Sequence, residues 1–332
     1  MADYKGVLVC GEIIEGKLAA ITTELLGCGR KLADNLSEEL SAVLLGSGVK
    51  GFASEVIAFG ADKVYVVDDP LLKEYQTDSH VAVMEKVVKQ VMPRILLLGQ
   101  TPVGRDLAPR LAFRLNTALS VDCVELDIDP QTKLLLQTRP VYGGNARAIF
   151  TTEGQPQMAT VRAKAMSPLE RDDSRKGEVI DVDAGIDASI IKAKVVDKVK
   201  EEIAGVKLED APVVISGGRG IGGPEGFEKL GELARLLKGA VGATRPPVDN
   251  GWAPATTQVG LTGKIVAPDV YIAVALSGSS QHMAGCSGAK NIIAINKDPE
   301  ANIFKEARFG VVGDWKQVIS PFTEKVKELL AE

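Results

Sequence analysis

The sequence predicts an α/β protein of two domains, each a mostly parallel sheet flanked by helices. Three observations predict it. Short apolar, β-branched runs alternate with segments whose apolar residues recur every three or four positions. The alternation lapses after residue 119 and starts afresh at residue 213. A glycine-rich loop, Gly217-Gly218-Arg219-Gly220-Ile221-Gly222-Gly223, then joins a strand to a helix. At 332 residues the chain is long enough to bury two such cores.

The elements follow in order. Val7, Leu8, Val9 and Cys10 form an unbroken apolar run, the mark of a strand covered on both faces. Leu18, Ile21, Leu25 and Leu32 give residues 18–35 helical spacing. Residues 40–45 read as the next strand. Residues 63–67 read as another, ending in the turn signal Asp68-Asp69-Pro70. Residues 80–91 are helical and Pro93 stops them. Residues 94–98 form a buried strand and residues 104–115 an amphipathic helix.

Beyond Leu119 the pattern changes. Residues 121–128, 134–140, 146–152 and 158–162 read as short strands, with a turn at Tyr142-Gly143-Gly144-Asn145. They extend the first sheet or form an antiparallel flap; the pattern leaves both open. Residues 167–209 are charged and include Glu170-Arg171-Asp172-Asp173-Ser174-Arg175-Lys176. The domain junction is expected there, dividing the chain into residues 1–205 and 206–332.

In the second domain, residues 213–216 form a strand and the glycine loop follows. Pro224 opens a helix over 224–238, with Phe227, Leu230, Leu233 and Leu237 on one face. Strands are expected at 270–276, 292–296 and 309–312, with helices beginning at 279 and spanning 299–307. The final helix, 315–330, carries Val318, Phe322, Val326 and Leu329 as its apolar stripe.

Composition narrows the function. Hydrophobic residues make up 45% and charged residues 25%, as in an ordinary globular protein. No apolar run reaches the ~18–20 residues of a membrane-spanning helix. The expected location is the prokaryotic cytoplasm. A net charge of −5 argues against nucleic acid. The four cysteines are scattered and only two histidines occur, so no metal site is expected. No serine or cysteine triad signature is present, and no catalytic residue is expected.

The chemistry lies in the second domain. Gly218-x-Gly220-x-x-Gly223 matches a dinucleotide-binding loop, a weak signal alone. The nicotinamide version expects an acidic residue about 20 positions on, at the end of the next strand. Here Thr244-Arg245 stands in that region. Glycines let backbone amides approach a phosphate or a flat ring, and an arginine among them holds an anion. Gln258-Val259-Gly260-Leu261-Thr262-Gly263-Lys264 forms a second such loop. Ser277-Gly278-Ser279-Ser280-Gln281-His282 offers hydroxyls and amides at a helix start, or simply a helix cap.

Together these motifs resemble the α subunit of electron transfer flavoprotein. The resemblance covers the C-terminal third, through Thr244-Arg245, residues 258–268, residues 277–285 and Ala294-Ile295-Asn296-Lys297-Asp298-Pro299. Gly104-Arg105-Asp106-Leu107-Ala108-Pro109-Arg110 adds a family-like stretch in the first half. The resemblance implies an αβ heterodimer, with residues 1–205 pairing with the β subunit and residues 206–332 forming a Rossmann-like FAD-binding domain. Arg219 and Arg245 then flank the flavin, with Thr244 beside them. Gln258, Val259, Gly260, Thr262 and Gly263 run along its ring and linker, with Thr262 at N5. Ser277, Gly278, Ser279, Ser280 and Gln281 meet the ribityl and pyrophosphate. His282 reaches the O2 side. Asn296 and Asp314 lie at the adenosine end.

The family commonly has Ser at Thr244, small residues at Pro246-Pro247, Gln at Leu261 and an apolar pair at Ser279-Ser280. The implied function is an electron carrier rather than an enzyme. It serves dehydrogenases such as the acyl-CoA dehydrogenases of fatty acid β-oxidation. Alternatives are an electron-bifurcating flavoprotein using NADH and ferredoxin, with a second FAD in the β subunit, a nicotinamide-dependent oxidoreductase, and a nucleotide-sensing module.

Overall fold

A computed structural model describes residues 4–142, 146–193, 195–197 and 206–331. Two compact units compose the chain: Met1–Val141 with Ala146–Val199, and Tyr142–Asn145 with Lys200–Glu332. Most of the expected 142–145 turn, and the 205 side of the expected boundary, lie outside the described residues.

The first unit comprises β1 (Val7–Gly11), β2 (Ile13–Ile14), β3 (Lys17–Leu18), α1 (Ala20–Leu36), β4 (Leu40–Gly46), α2 (Ala53–Ala58), β5 (Lys63–Asp68) and α3 (Thr77–Val91). It continues with β6 (Ile95–Gly99), α4 (Pro102–Arg114), β7 (Leu119–Cys123), β8 (Glu125–Ile128), β9 (Leu135–Val141), β10 (Ala146–Phe150), β11 (Gln157–Val161) and β12 (Glu178–Asp181). Seven strands form a parallel sheet in the order β12-β5-β4-β1-β6-β11-β7. Alternate side chains enter two cores. Val7 and Val9 pack with α1 and α2 on one face; Leu8 and Cys10 pack with α3 and α4 on the other. This double burial is why the central strands read as unbroken apolar runs.

Two expectations in this unit are corrected. The single strand at 121–128 is two. Asp122 turns to a left-handed φ of 61°, held by a two-pronged ion pair from Arg162, Nε to Oδ1 at 2.9 Å and the terminal guanidinium nitrogen Nη2 to Oδ2 at 2.6 Å. β7 therefore stays in the parallel sheet, while β8 leaves to pair antiparallel with β9, which pairs in turn with β10. Both arrangements left open by the sequence thus occur. The charged stretch from 167 is not all junction. β12 adds to the sheet edge beside β5, and Arg175 reaches Asp62 at 2.9 Å. A solvent-facing edge strand tolerates charge.

The second unit comprises β13 (Val213–Gly217), α5 (Pro224–Leu236), β14 (Ala240–Ala243), α6 (Arg245–Asp249), β15 (Val270–Val274), α7 (Ser280–Cys286), β16 (Asn291–Asn296), α8 (Ile303–Glu306), β17 (Phe309–Val312) and α9 (Trp315–Ala331). Its five strands are parallel in the order β14-β13-β15-β16-β17. The helix expected at 299–307 shrinks to the single turn of α8. Asn296 Oδ1 accepts from the Asp298 amide and Asp298 Oδ1 from the Glu300 amide, both at 3.0 Å. These side-chain turns divert the backbone bonds a helix would need. In α9 the buried positions are Trp315, Ile319 and Thr323, with Val318, Phe322 and Val326 beside them. Leu329 is exposed. Among the described residues, no helix is long and apolar enough to cross a membrane.

Candidate functional site

The strand order of the second unit reverses direction between β13 and β15. In such sheets ligands bind outside the carboxyl ends of the strands, at the reversal. Every candidate motif but the 258–264 loop follows a strand end. Thr244 and Arg245 follow β14, the Gly218–Arg219 turn ends β13, and Ser277–Gln281 follows β15. Asn296 ends β16 and Asp314 follows β17. The five ends span roughly 19 Å at the usual strand spacing. One small ligand cannot touch both Arg245 and Asp314; an elongated one can.

The middle of this edge is built from backbone. A Cβ on Gly218 would stand 2.4 Å from the Ala275 carbonyl oxygen. The Gly218 and Gly220 amides bond Val274 and Ala275 at 2.9 and 3.1 Å. The two loops at the reversal therefore touch directly. Gly222, at φ 87°, and Gly223 face open space before Pro224 starts α5. Arg219 is exposed beside them. The Trp315 indole donates to the Gly220 oxygen at 3.1 Å and braces the loop from α9.

Thr244 is buried and its amide bonds the Gly217 oxygen at 3.0 Å. Arg245 opens α6, is 65% exposed, and meets Asp249 at 3.2 Å. Such an exposed pair contributes little stability, so the guanidinium is available to an anion. Pro246 and Pro247 occupy the first turn of α6, where missing amides cost no helical bond.

The 258–264 loop is tied to α7. The Val259 amide bonds Ala243 at 2.9 Å, and the Leu261 amide bonds the Gln281 oxygen at 2.7 Å. A Cβ on Gly285 would stand 2.3 Å from the Gly260 nitrogen, and one on Gly263 would stand 2.4 Å from the Gln258 oxygen. Gln258 Nε2 donates to Thr262 Oγ1 at 2.9 Å, leaving Thr262 at the exposed tip. Leu261 is also exposed. Lys264 is ion-paired with Glu209.

Gly278, at φ 74°, sits where a Cβ would meet the Ile303 nitrogen at 2.5 Å. Ser277, Ser279 and Gln281 are exposed, and Ser280 is half-buried at the start of α7. Asn296 is buried; its amide donates to Leu276 at 2.9 Å. Asp314 Oδ1 accepts the Lys316 amide at 3.0 Å and opens α9.

His282 lies on the first turn of α7. It is 4% exposed. Nδ1 meets the Val259 oxygen at 3.0 Å and Nε2 meets the Tyr271 hydroxyl at 2.8 Å. Burial pushes its pKa down to about 4, against the bond to Val259. The ring joins α7 to the 258–264 loop and to β15. Sequence reasoning missed Tyr271, Trp315, Glu209 and Asp249. Only Tyr271 carried a signal, as a lone hydroxyl in a buried strand.

Exposed hydroxyls, open glycine backbone and two arginines along an extended edge fit a dinucleotide with a phosphate bridge. Comparison with known proteins accords with this. The electron transfer flavoprotein domain matches residues 7–187, and the electron transfer flavoprotein FAD-binding domain matches residues 207–287. The chain is 48% identical over 330 residues to an electron transfer flavoprotein subunit alpha of Thermoanaerobacterium thermosaccharolyticum, covering 99% of this chain and 100% of that one. It is 45% identical to the subunit alpha of Megasphaera elsdenii, covering 99% and 98%. It is 42% identical to the Protein FixB of Clostridium saccharobutylicum, covering 100% and 99%.

Proposed function

The chain belongs to the electron transfer flavoprotein α-subunit and FixB family, whose FAD-binding domain it carries, and from that premise we propose that it is the FAD-holding electron-carrier subunit of a heterodimer. Residues 206–332 hold the cofactor, and residues 1–205 pair with a β subunit. The carrier operates in the cytoplasm and accepts electrons from dehydrogenases, acyl-CoA dehydrogenases of fatty acid β-oxidation among them.

The observation that carries this reading is the row of five strand ends, with Arg245 at one end, Asp314 at the other and open glycine backbone between. When bound, FAD supplies the redox chemistry; the protein sets its orientation and electrostatics. Arg219 and the backbone around Gly218–Gly223 hold the phosphates with Ser277, Gly278, Ser279, Ser280 and Gln281. Arg245, beside Thr244, faces the ring and favours negative charge there, most strongly where water is excluded. Gln258 orients Thr262 at the ring, with Val259, Gly260 and Gly263 shaping the approach. Asn296 and Asp314 hold the far end. A nicotinamide enzyme would want an acid at the end of β14, where Thr244-Arg245 stands.

The test is co-expression with the β subunit, followed by the visible spectrum and FAD count of the purified complex. A yellow heterodimer whose FAD is reduced by a dehydrogenase supports the proposal. A colourless chain that binds NADH overturns it.

A further inference from the structure

We infer that Trp315 is a positioning residue for the glycine loop. Its indole N–H holds the Gly220 carbonyl, clasps the loop after β13 to the start of α9, and so sets where Arg219 stands. That the loop meets phosphate rests on the function proposed above; the clasp does not.

The clasp spans most of the strand-end edge. β13 and β17 lie three places apart in the order β13-β15-β16-β17, roughly 14 Å at the usual strand spacing. The loop covers part of that distance by bending over the end of β15, where the Gly218 and Gly220 amides donate to the Val274 and Ala275 oxygens. The indole covers the rest, reaching from the first residue of α9 to the Gly220 oxygen at 3.1 Å. Both backbone groups of Gly220 are therefore held, the N–H by Ala275 and the oxygen by Trp315.

The ring has one place to stand. Trp315 is 6% exposed and belongs to the core that contains Ile221 and Phe227. A Cβ on Gly226, in the first turn of α5, would stand 3.0 Å from Trp315 Cη2 and 2.3 Å from Ile221 Cγ2. Glycine there makes the room for the indole. Packing fixes the ring, and the fixed ring gives its N–H a single direction. The Gly220 oxygen is then turned toward α9, away from an anion its dipole would repel. Arg219 is the residue before it, exposed on the same short turn. Asp314 is the residue before Trp315, so one side chain ties the phosphate loop to the far end of the row.

The experiment uses the αβ complex labelled with 15N-tryptophan. The chain has two tryptophans, Trp252 and Trp315, so Trp252→Phe and Trp315→Phe identify the signals. The Trp315 indole proton is expected to exchange with solvent more slowly than that of a free indole. Trp315→Phe keeps an aromatic ring and drops the donor. Its FAD dissociation constant is expected to rise about three- to tenfold, the worth of one hydrogen bond. The two 31P resonances of bound FAD are expected to move, with its one-electron potentials unchanged. A lower urea midpoint with unmoved 31P signals and unaltered affinity would make Trp315 a packing residue only and overturn the inference. Moved potentials with unmoved 31P signals overturn it as well. If the variant does not fold, the wild-type indole decides: exchange as fast as a free indole removes the clasp. A wild-type complex without FAD would remove the proposed function and leave the indole signal to judge the clasp, so the two fail separately.

Discussion

The two units build the same kind of reversal point and finish it oppositely. In the first, β5-β4-β1 run one way from β1 and β6-β11 the other, so the reversal lies between β1 and β6. Its own side chains close that crevice. The Glu12 Oε1 accepts from the Thr101 hydroxyl at 2.7 Å, and Thr101 Oγ1 accepts the Gly104 amide at 3.0 Å to cap α4. Thr22 Oγ1 joins the Glu12 backbone at 2.8 and 3.1 Å. A phosphate at the start of α4 would face a carboxyl group. In the second unit the matching positions carry glycine, serine and Arg219. Topology offers a crevice in both; side chains decide which one is a site.

The largest expected effect comes from filling the second crevice as the first is filled. In Gly218→Val the added carbons enter the space held by Ala275 and Leu276, where even a Cβ would stand 2.4 Å away. Such overpacking costs about 1–3 kcal/mol. FAD affinity is expected to fall about tenfold or more. FAD absorbance per purified complex checks this, and full occupancy would show that the Gly218 turn is not part of the site.

Charge separates the two crevices as much as shape. Arg245→Ala is expected to leave the fold intact, because the side chain is 65% exposed. A hydrogen bond to a charged group is worth about 1.5–3 kcal/mol, which corresponds to roughly 60–130 mV in a one-electron potential. The first one-electron potential of the bound FAD is expected to drop by that amount, with Arg245→Lys recovering part because it lacks the planar fork. Spectroelectrochemical titration reads it. An unchanged potential at full FAD occupancy would remove Arg245 from the ring.

Strands buried on both faces, and glycines at strand ends, are local features, so the sheets and most candidate loops were legible in the sequence. What was not legible depends on partners far along the chain. The Asp122 turn needs Arg162, 40 positions away. The closing of the first crevice needs Thr101, 89 positions from Glu12. The contact of His282 with Tyr271 joins a helix to a strand 11 positions back. The short α8 was partly legible: Asn296-Lys297-Asp298-Pro299 announces competing side-chain turns.

A smaller effect tests whether the first crevice is structural only. Thr101→Ala removes the cap of α4 and the donor to Glu12 together. The expected loss is about 1–2 kcal/mol of stability, with no change in FAD per complex. Urea unfolding of the first transition measures the loss, and the flavin spectrum measures the cofactor. Loss of FAD without loss of stability would make this crevice part of the site and break the comparison.

The smallest expected effect is a pH dependence seated at Glu12. Burial raises its pKa from 4.5 to about 7, opposed by the hydroxyl of Thr101. Between those values the folded chain holds a proton that the unfolded chain has released. Stability therefore falls as pH rises from about 4.5 to about 7 and levels off above. Glu12 keeps some solvent contact, so about 1 kcal/mol is expected. Glu12→Gln accepts the same hydrogen bond and carries no charge, so the variant is expected to flatten the curve and gain most at pH 7–8. Glu24, bonded to the Lys164 amide, is also raised to about 7 by burial, so the slope shrinks rather than vanishes. Parallel stability curves for wild type and Glu12→Gln between pH 5 and 8 would show that Glu12 ionises freely, and that the first crevice is open to water after all.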